Sequence, residues 1–134
     1  MSTVTHVNPE SLHRSPVFTQ AVRIPAGHDL VVVGGQNGVD ADGALVGPGM
    51  AEQAQRALAN LRTSLEAAGA QLTDVVRWTV LYVHGASVQE GFAAFADWPR
   101  DAAPPAITVA AVAGLAVPGA LVEIEALAAV PADR

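Results

Sequence analysis

The sequence predicts an α+β fold, a mixed β-sheet with two helices packed on one face. Three observations predict it. Apolar residues at 3-and-4 spacing mark an amphipathic helix over Met50–Ala68. Runs rich in β-branched residues mark strands at Val75–Val83, Ala106–Val112 and Leu121–Val130. Taken in order the elements read strand, strand, strand, helix, strand, helix, strand, strand, which is an α+β pattern. The 134 residues are expected to form a single domain, 1–134, with residues 1–15 a partly irregular extension.

Each element has a local cause. A short strand is expected near Thr3–Val7, followed by an irregular stretch containing Pro9 and Pro16. Thr19–Ile24 has the length and β-branched content of a strand, and Leu30–Val33 is a short continuous apolar run. Pro25–Asp29 between them is a turn on its Pro, Gly and Asp content, so the two strands read as a hairpin. The helix over Met50–Ala68 presents Ala54, Ala57, Leu58, Leu61, Leu65 and Ala68 on one face and has Gly69 at the expected C′ position. At roughly 1.5 Å per residue it spans about 28 Å, enough to cross a four-stranded sheet.

Val75–Val83 is apolar on both faces, which predicts a central strand covered by the helix on one side and by something else, such as a second subunit, on the other. Ser87 with Glu90 fits a capping box, and the helical stripe of Val88, Phe92, Phe95 and Ala96 runs to Trp98 before Pro99 stops it.

Composition excludes several classes of function. The chain is 51% hydrophobic but only 4% aromatic, so Ala, Val and Leu must fill the core, and oligomerisation is expected to supplement it. With 7 basic against 13 acidic residues and no basic cluster, nucleic acid and anionic membranes are not expected partners. There is no cysteine, hence no disulfide, thiolate metal site or thiol nucleophile. No apolar N-terminal run resembles a signal peptide and no stretch of 18 apolar residues exists, so a cytoplasmic location is expected.

Few residues point to chemistry. His6, His13, His28 and His84 show no metal-ligand spacing, and no serine sits in a nucleophile elbow. No calcium loop follows Asp40–Gly43. Gly34-Gly35-Gln36-Asn37-Gly38 has two open readings. It is a β-bulge or tight loop, or a pocket wall where backbone N–H groups meet a ligand; three glycines in five residues permit positive φ and close approach. Glu123 and Glu125 lie two apart on one strand and share a face. They are either solvated strand charges or, on a pocket or subunit seam, groups for acid–base work or for gripping a ligand N–H. Arg77 and Arg100 are candidate partners.

In this order the residues resemble a known family. Pro16 with Gln20-Ala21-Val22, Leu30 to Gln36, Gln53-Ala54, Leu58 to Leu61, Leu65 to Ala70, Asp74-Val75-Val76, Thr79-Val80, Pro105-Ala106 and Leu121 to Ala128 are similar to the RidA/YjgF reactive intermediate deaminases, across about Pro16–Val130. The resemblance implies a chorismate-mutase-like homotrimer with small-molecule clefts between subunits. It implies hydrolysis of 2-imino acids and their enamine tautomers to 2-oxo acids and ammonia, with no metal or cofactor.

The family's cleft carries an arginine in a Pro-Ala-Arg motif, which holds the substrate carboxylate, together with a tyrosine, a serine and a glutamate. Here the arginine position is Ile107, the tyrosine position falls on Phe18 beside Val17, and the serine position is Gly34 before Gly35. The glutamate remains as Glu123. The expected site is therefore Glu123 as the catalytic group, with Phe18, Gly34, Gly35, Trp98 and Ile107 binding the ligand.

Without the arginine, the chain is expected to belong to an arginine-lacking branch. Its expected ligand is a neutral or cationic molecule, such as another imine or enamine handled by Glu123. A non-catalytic binding or protective trimer and a conventional imine deaminase are the alternatives. The ribonuclease activity ascribed to some relatives is the weakest reading, since the chain is acidic and has no histidine pair.

Overall fold

The computed structural model describes residues 3–97 and 102–134. In chain order the elements are β1 (Thr5–Val7), β2 (Ala21–Arg23), β3 (His28–Gln36), α1 (Met50–Ala67), β4 (Val75–Val83), α2 (Val88–Phe92), β5 (Ala106–Val112) and β6 (Val122–Pro131). Short 3-10 segments precede β4 and extend α2 through Asp97. The main sheet has the order β3-β6-β4-β5, antiparallel except for the parallel pair β4–β5. It is the expected mixed sheet, and α1 and the α2 segment pack on it and on each other.

Alternation along β4 and β6 makes the core. Trp78, Val80 and, on β6, Val122, Ile124 and Ala126 turn toward α1, whose Ala54, Ala57, Leu61 and Leu65 are buried against them. Small residues on the helix let it lie close to the sheet. Gly69, with φ 85°, supplies the left-handed residue that ends α1, and Ala70 N–H returns to the Leu65 carbonyl at 2.8 Å. Ser87 caps α2 by accepting from Glu90 N–H at 3.3 Å.

The hairpin expected between Thr19–Ile24 and Leu30–Val33 does not form. β2 pairs with β1 in a separate two-stranded ribbon, and β3 pairs with β6. The cause is competition for the backbone of the expected strand. Thr19 N–H is taken by the Pro105 carbonyl at 3.0 Å, and Gln20 N–H by Asn8 Oδ1 at 3.2 Å. The turn at Pro25–Asp29 therefore joins two sheets instead of closing one.

The opposite face of the sheet is uncovered within one chain. Leu30 and Val32 of β3 are 56% and 77% exposed, Val32 beside Leu127 of β6. Within one chain α1 covers the helix side of β4. Among the described residues no helix is long and apolar enough to cross a membrane.

Candidate functional site

Two walls carry the predicted residues, and they are built differently. The first is polar and lies on the uncovered face. Between Val33 and Gln36 the register of β3 on β6 shifts, so Gly34 and Gly35 form the bulge that was one of the two readings. Neither glycine has positive φ; what Gly35 provides is room. A Cβ placed on it would stand 2.7 Å from Cδ of Glu123, so the carboxylate lies directly over the bulge. Glu123 is half-buried, is paired across to Leu81, and has no hydrogen-bonding or ionic partner among the described residues.

Buried amides fix the backbone at this wall. Asn37 Nδ2 donates to the Val122 carbonyl at 3.1 Å, and Asn60 Nδ2 donates to the carbonyls of Asn37 and Val39 at 3.2 and 2.8 Å. Gln53, 0% exposed, accepts from Leu121 N–H at 2.8 Å and donates to the Gly47 and Gly119 carbonyls at 2.9 and 3.2 Å. Every side-chain amide here is matched to a backbone group, so the entry to β6 just before Glu123 is held.

The second wall is apolar and lies on the helix side. Ile107 is paired with Trp78 in parallel register, which turns it toward α2. With Phe18 and Val17 of the N-terminal arm, Phe92 and Phe95 of the α2 segment, and Pro104 and Pro105, it lines an open pocket of about 920 Å3. Phe95 meets Trp78 edge-to-face at 5.4 Å and 83°. Thr19, 2% exposed, latches the arm in place: its N–H and Oγ1 donate to the carbonyls of Pro105 and Pro104. None of the described lining residues carries a charge.

The two walls do not meet within one chain. Cross-strand pairing puts Ile107 with Trp78, Val80 and Ile124 on the helix side, and Glu123 with Leu81 on the other. The structure thus groups Gly34, Gly35 and Glu123, and separately Phe18 and Ile107. Trp98 and Arg100 lie outside the described residues. Arg77 is exposed on the uncovered side and makes no ion pair with Glu123 or Glu125. Among the described residues, no group of three or more histidine, aspartate or glutamate side chains is placed to hold a metal ion.

Comparison with known proteins decides the family. The family model described as endoribonuclease L-PSP matches residues 10–130. The chain belongs to this RidA/YjgF family. A Rid-family protein of unknown function from Yersinia pestis, YyfB, superposes with a TM-score of 0.78 at 32% identity, covering 93% of this chain and 97% of that one. A member of the YjgF/YER057c/UK114 family from Mycobacterium tuberculosis gives 0.64 at 34% identity over 96% of this chain and 100% of that one. The rat protein named 2-iminobutanoate/2-iminopropanoate deaminase is 45% identical over 65 residues, 48% of this chain and 45% of the relative. The chain thus matches under half the length of the curated relatives.

Within this RidA/YjgF chain, four contributors escape sequence reasoning: Thr19, Trp78, Phe92 and Phe95. Thr19 gave no signal beyond a β-branched position. Phe92 and Phe95 read as part of a helical stripe, and Trp78 lies within the run Val75–Val83, which reads as a strand apolar on both faces. A concentration of the chain's few aromatics near the expected Ile107 wall was the available clue.

Proposed function

We propose that this protein is a RidA-type handler of imines or enamines that lack a carboxylate, working in the cytoplasm as a trimer. Its cleft is assembled from two copies, the apolar pocket of one and the Glu123 wall of the next. One observation carries the reading. At the position where the resemblance calls for a carboxylate-gripping arginine stands Ile107, in a pocket whose described lining has no charge. A carboxylate entering that pocket would lose its water and meet no cation among the described lining residues, an unfavourable transfer.

The chemistry follows from the retained acid. Water adds to the C=N carbon and the nitrogen takes up a proton; the C–N bond then breaks, leaving a carbonyl compound and ammonia. Glu123 accepts the proton from the attacking water and returns it to the departing nitrogen. Gly35 leaves the space that its carboxylate occupies. The relatives named imine deaminases support the reaction type. The family description as an endoribonuclease does not come over as an activity, because a net charge of −6 repels a polyphosphate chain.

The test compares two imines at equal flux, a dehydratase-generated 2-imino acid and a carboxylate-free imine. Accelerated ammonia release is expected from the second only. Acceleration of the 2-imino acid, abolished in Glu123→Gln, would restore the conventional deaminase. Light scattering on the same sample is expected to give three times the 13.7 kDa chain mass; a monomer removes the shared cleft.

A further inference from the structure

We propose that the pocket beside Ile107 is an aromatic-ring site, and that the substrate is the imine of an arylmethyl amine supplied by an amine-oxidising reaction. This rests on the carboxylate-free reading and narrows it. The chain has only six aromatic residues, three Phe, two Trp and one Tyr. All three phenylalanines and Trp78 line this one pocket. Tyr82 lines a small void beside it that shares Val80, Phe92 and Phe95 with the pocket.

Core filling accounts for Phe95 and Tyr82, which pack against a buried core of Ala, Val, Leu, Ile and Met50 around Trp78, but not for the rest of the gathering. Phe92, in contrast, is 42% exposed, and Phe18 is half-buried on an arm without regular structure. The two come from sequence-distant segments and turn ring surface into the same space. Phe92 and Phe95 stand 6.1 Å apart at 52°, and Phe95 is edge-on to Trp78. Rings so arranged offer both faces and edges to a further ring at contact distances of about 4.5–7 Å. The volume of about 920 Å3 is at the upper end of small-ligand pockets and far exceeds what a three- or four-carbon imine fills.

The missing carboxylate then constrains the supply. Elimination from an amino acid leaves a 2-imino acid, which keeps its carboxylate. Two-electron oxidation of a primary amine does not. The carbon gives a hydride and the nitrogen a proton to a flavin, quinone or nicotinamide acceptor of the preceding enzyme, leaving Ar–CH=NH. Hydrolysis here then yields the aromatic aldehyde and ammonia.

The test generates imines in place from benzylamine and from butylamine with a flavin-dependent amine oxidase and oxygen, and traps surviving imine with semicarbazide. The protein is expected to cut the trapped aromatic imine at least tenfold and the butyl imine less than twofold. Benzaldoxime, a stable imine isostere, is expected to bind at least tenfold tighter than butyraldoxime, and Phe18→Leu and Phe92→Leu to erase that preference. Equal handling of both amine-derived imines overturns the aromatic site and leaves the carboxylate-free reading standing. Turnover of 2-imino acids alone overturns both. Failure on every imine with the benzaldoxime preference intact overturns the amine-oxidation supply and leaves an aromatic-binding pocket.

Discussion

The two faces of one sheet make opposite use of neighbouring residues. On β6, Val122, Ile124 and Ala126 are buried under α1, while Glu123 and Glu125, one step away in sequence, stand on the uncovered side. On β5, Ile107 joins the buried side. The difference shows where this chain places charge. None of the described residues that line the helix-side pocket carries a charge. A carboxylate over the Gly35 bulge keeps contact with solvent. With Ile107 in it, the described helix-side wall is apolar, and Glu123 is the polar end of the proposed cleft.

The largest expected effect separates the two walls by function. Glu123→Gln keeps the shape and removes the proton acceptor, so turnover of a carboxylate-free imine should fall about 10²- to 10⁴-fold. Stability should move by less than about 0.5 kcal/mol, since the side chain is only half-buried and unpartnered among the described residues. Steady-state rates and urea melts on the same preparations check both halves. Loss of folding would make Glu123 a structural residue and remove it from the chemistry.

The next effect tests what holds the walls in register. Gln53→Ala leaves Leu121 N–H and the Gly47 and Gly119 carbonyls without their buried partner. At about 1–3 kcal/mol for an unsatisfied buried group, a loss near 3 kcal/mol is expected, read as a lower urea midpoint. Ser64→Ala, on the same helix, gives up only a bond to its own helix's Asn60 carbonyl and should change little. Equal effects of the two substitutions would show that the amide network is not what fixes β6.

Local pattern made much of this legible. The bounds of β4 follow from an unbroken run of strand-forming residues, and α1 from 3-and-4 spacing. Glu123 stood out as an acid in an apolar strand. The pairing partners did not stand out, because turn chemistry at Pro25–Asp29 says where the chain bends and not which strand waits beyond it. β3 found its partner in β6, at the far end of the chain, and ran on to Gln36 because the bulge let pairing resume. The separation of Ile107 from Glu123 was equally hidden. It depends on the parallel register of Trp78 with Ile107, a tertiary fact. The aromatic pocket draws on positions 18, 78, 92 and 95, which no sequence window joins.

The smallest expected effect isolates the arm that carries Phe18. His6 of β1 is paired with Val22 of β2 and half-buried, and burial holds its pKa below 6.5, since the charged ring loses water and gains no partner. Above about pH 6.5 the imidazole is neutral in both folded and unfolded chains, so its stabilising difference is fully present. As pH falls below 6.5 the unfolded chain binds the proton first, and stability is lost until the folded-state value is passed. Melting temperatures of the native protein and His6→Gln should therefore diverge between pH 7 and 5, with the native protein falling more. Exchange protection at β1–β2 should weaken with it while β4 and β6 stay protected. A parallel pair of pH curves, or loss of protection spread evenly through the main sheet, would mean that the ribbon does not open separately from the strands that carry Glu123 and Ile107.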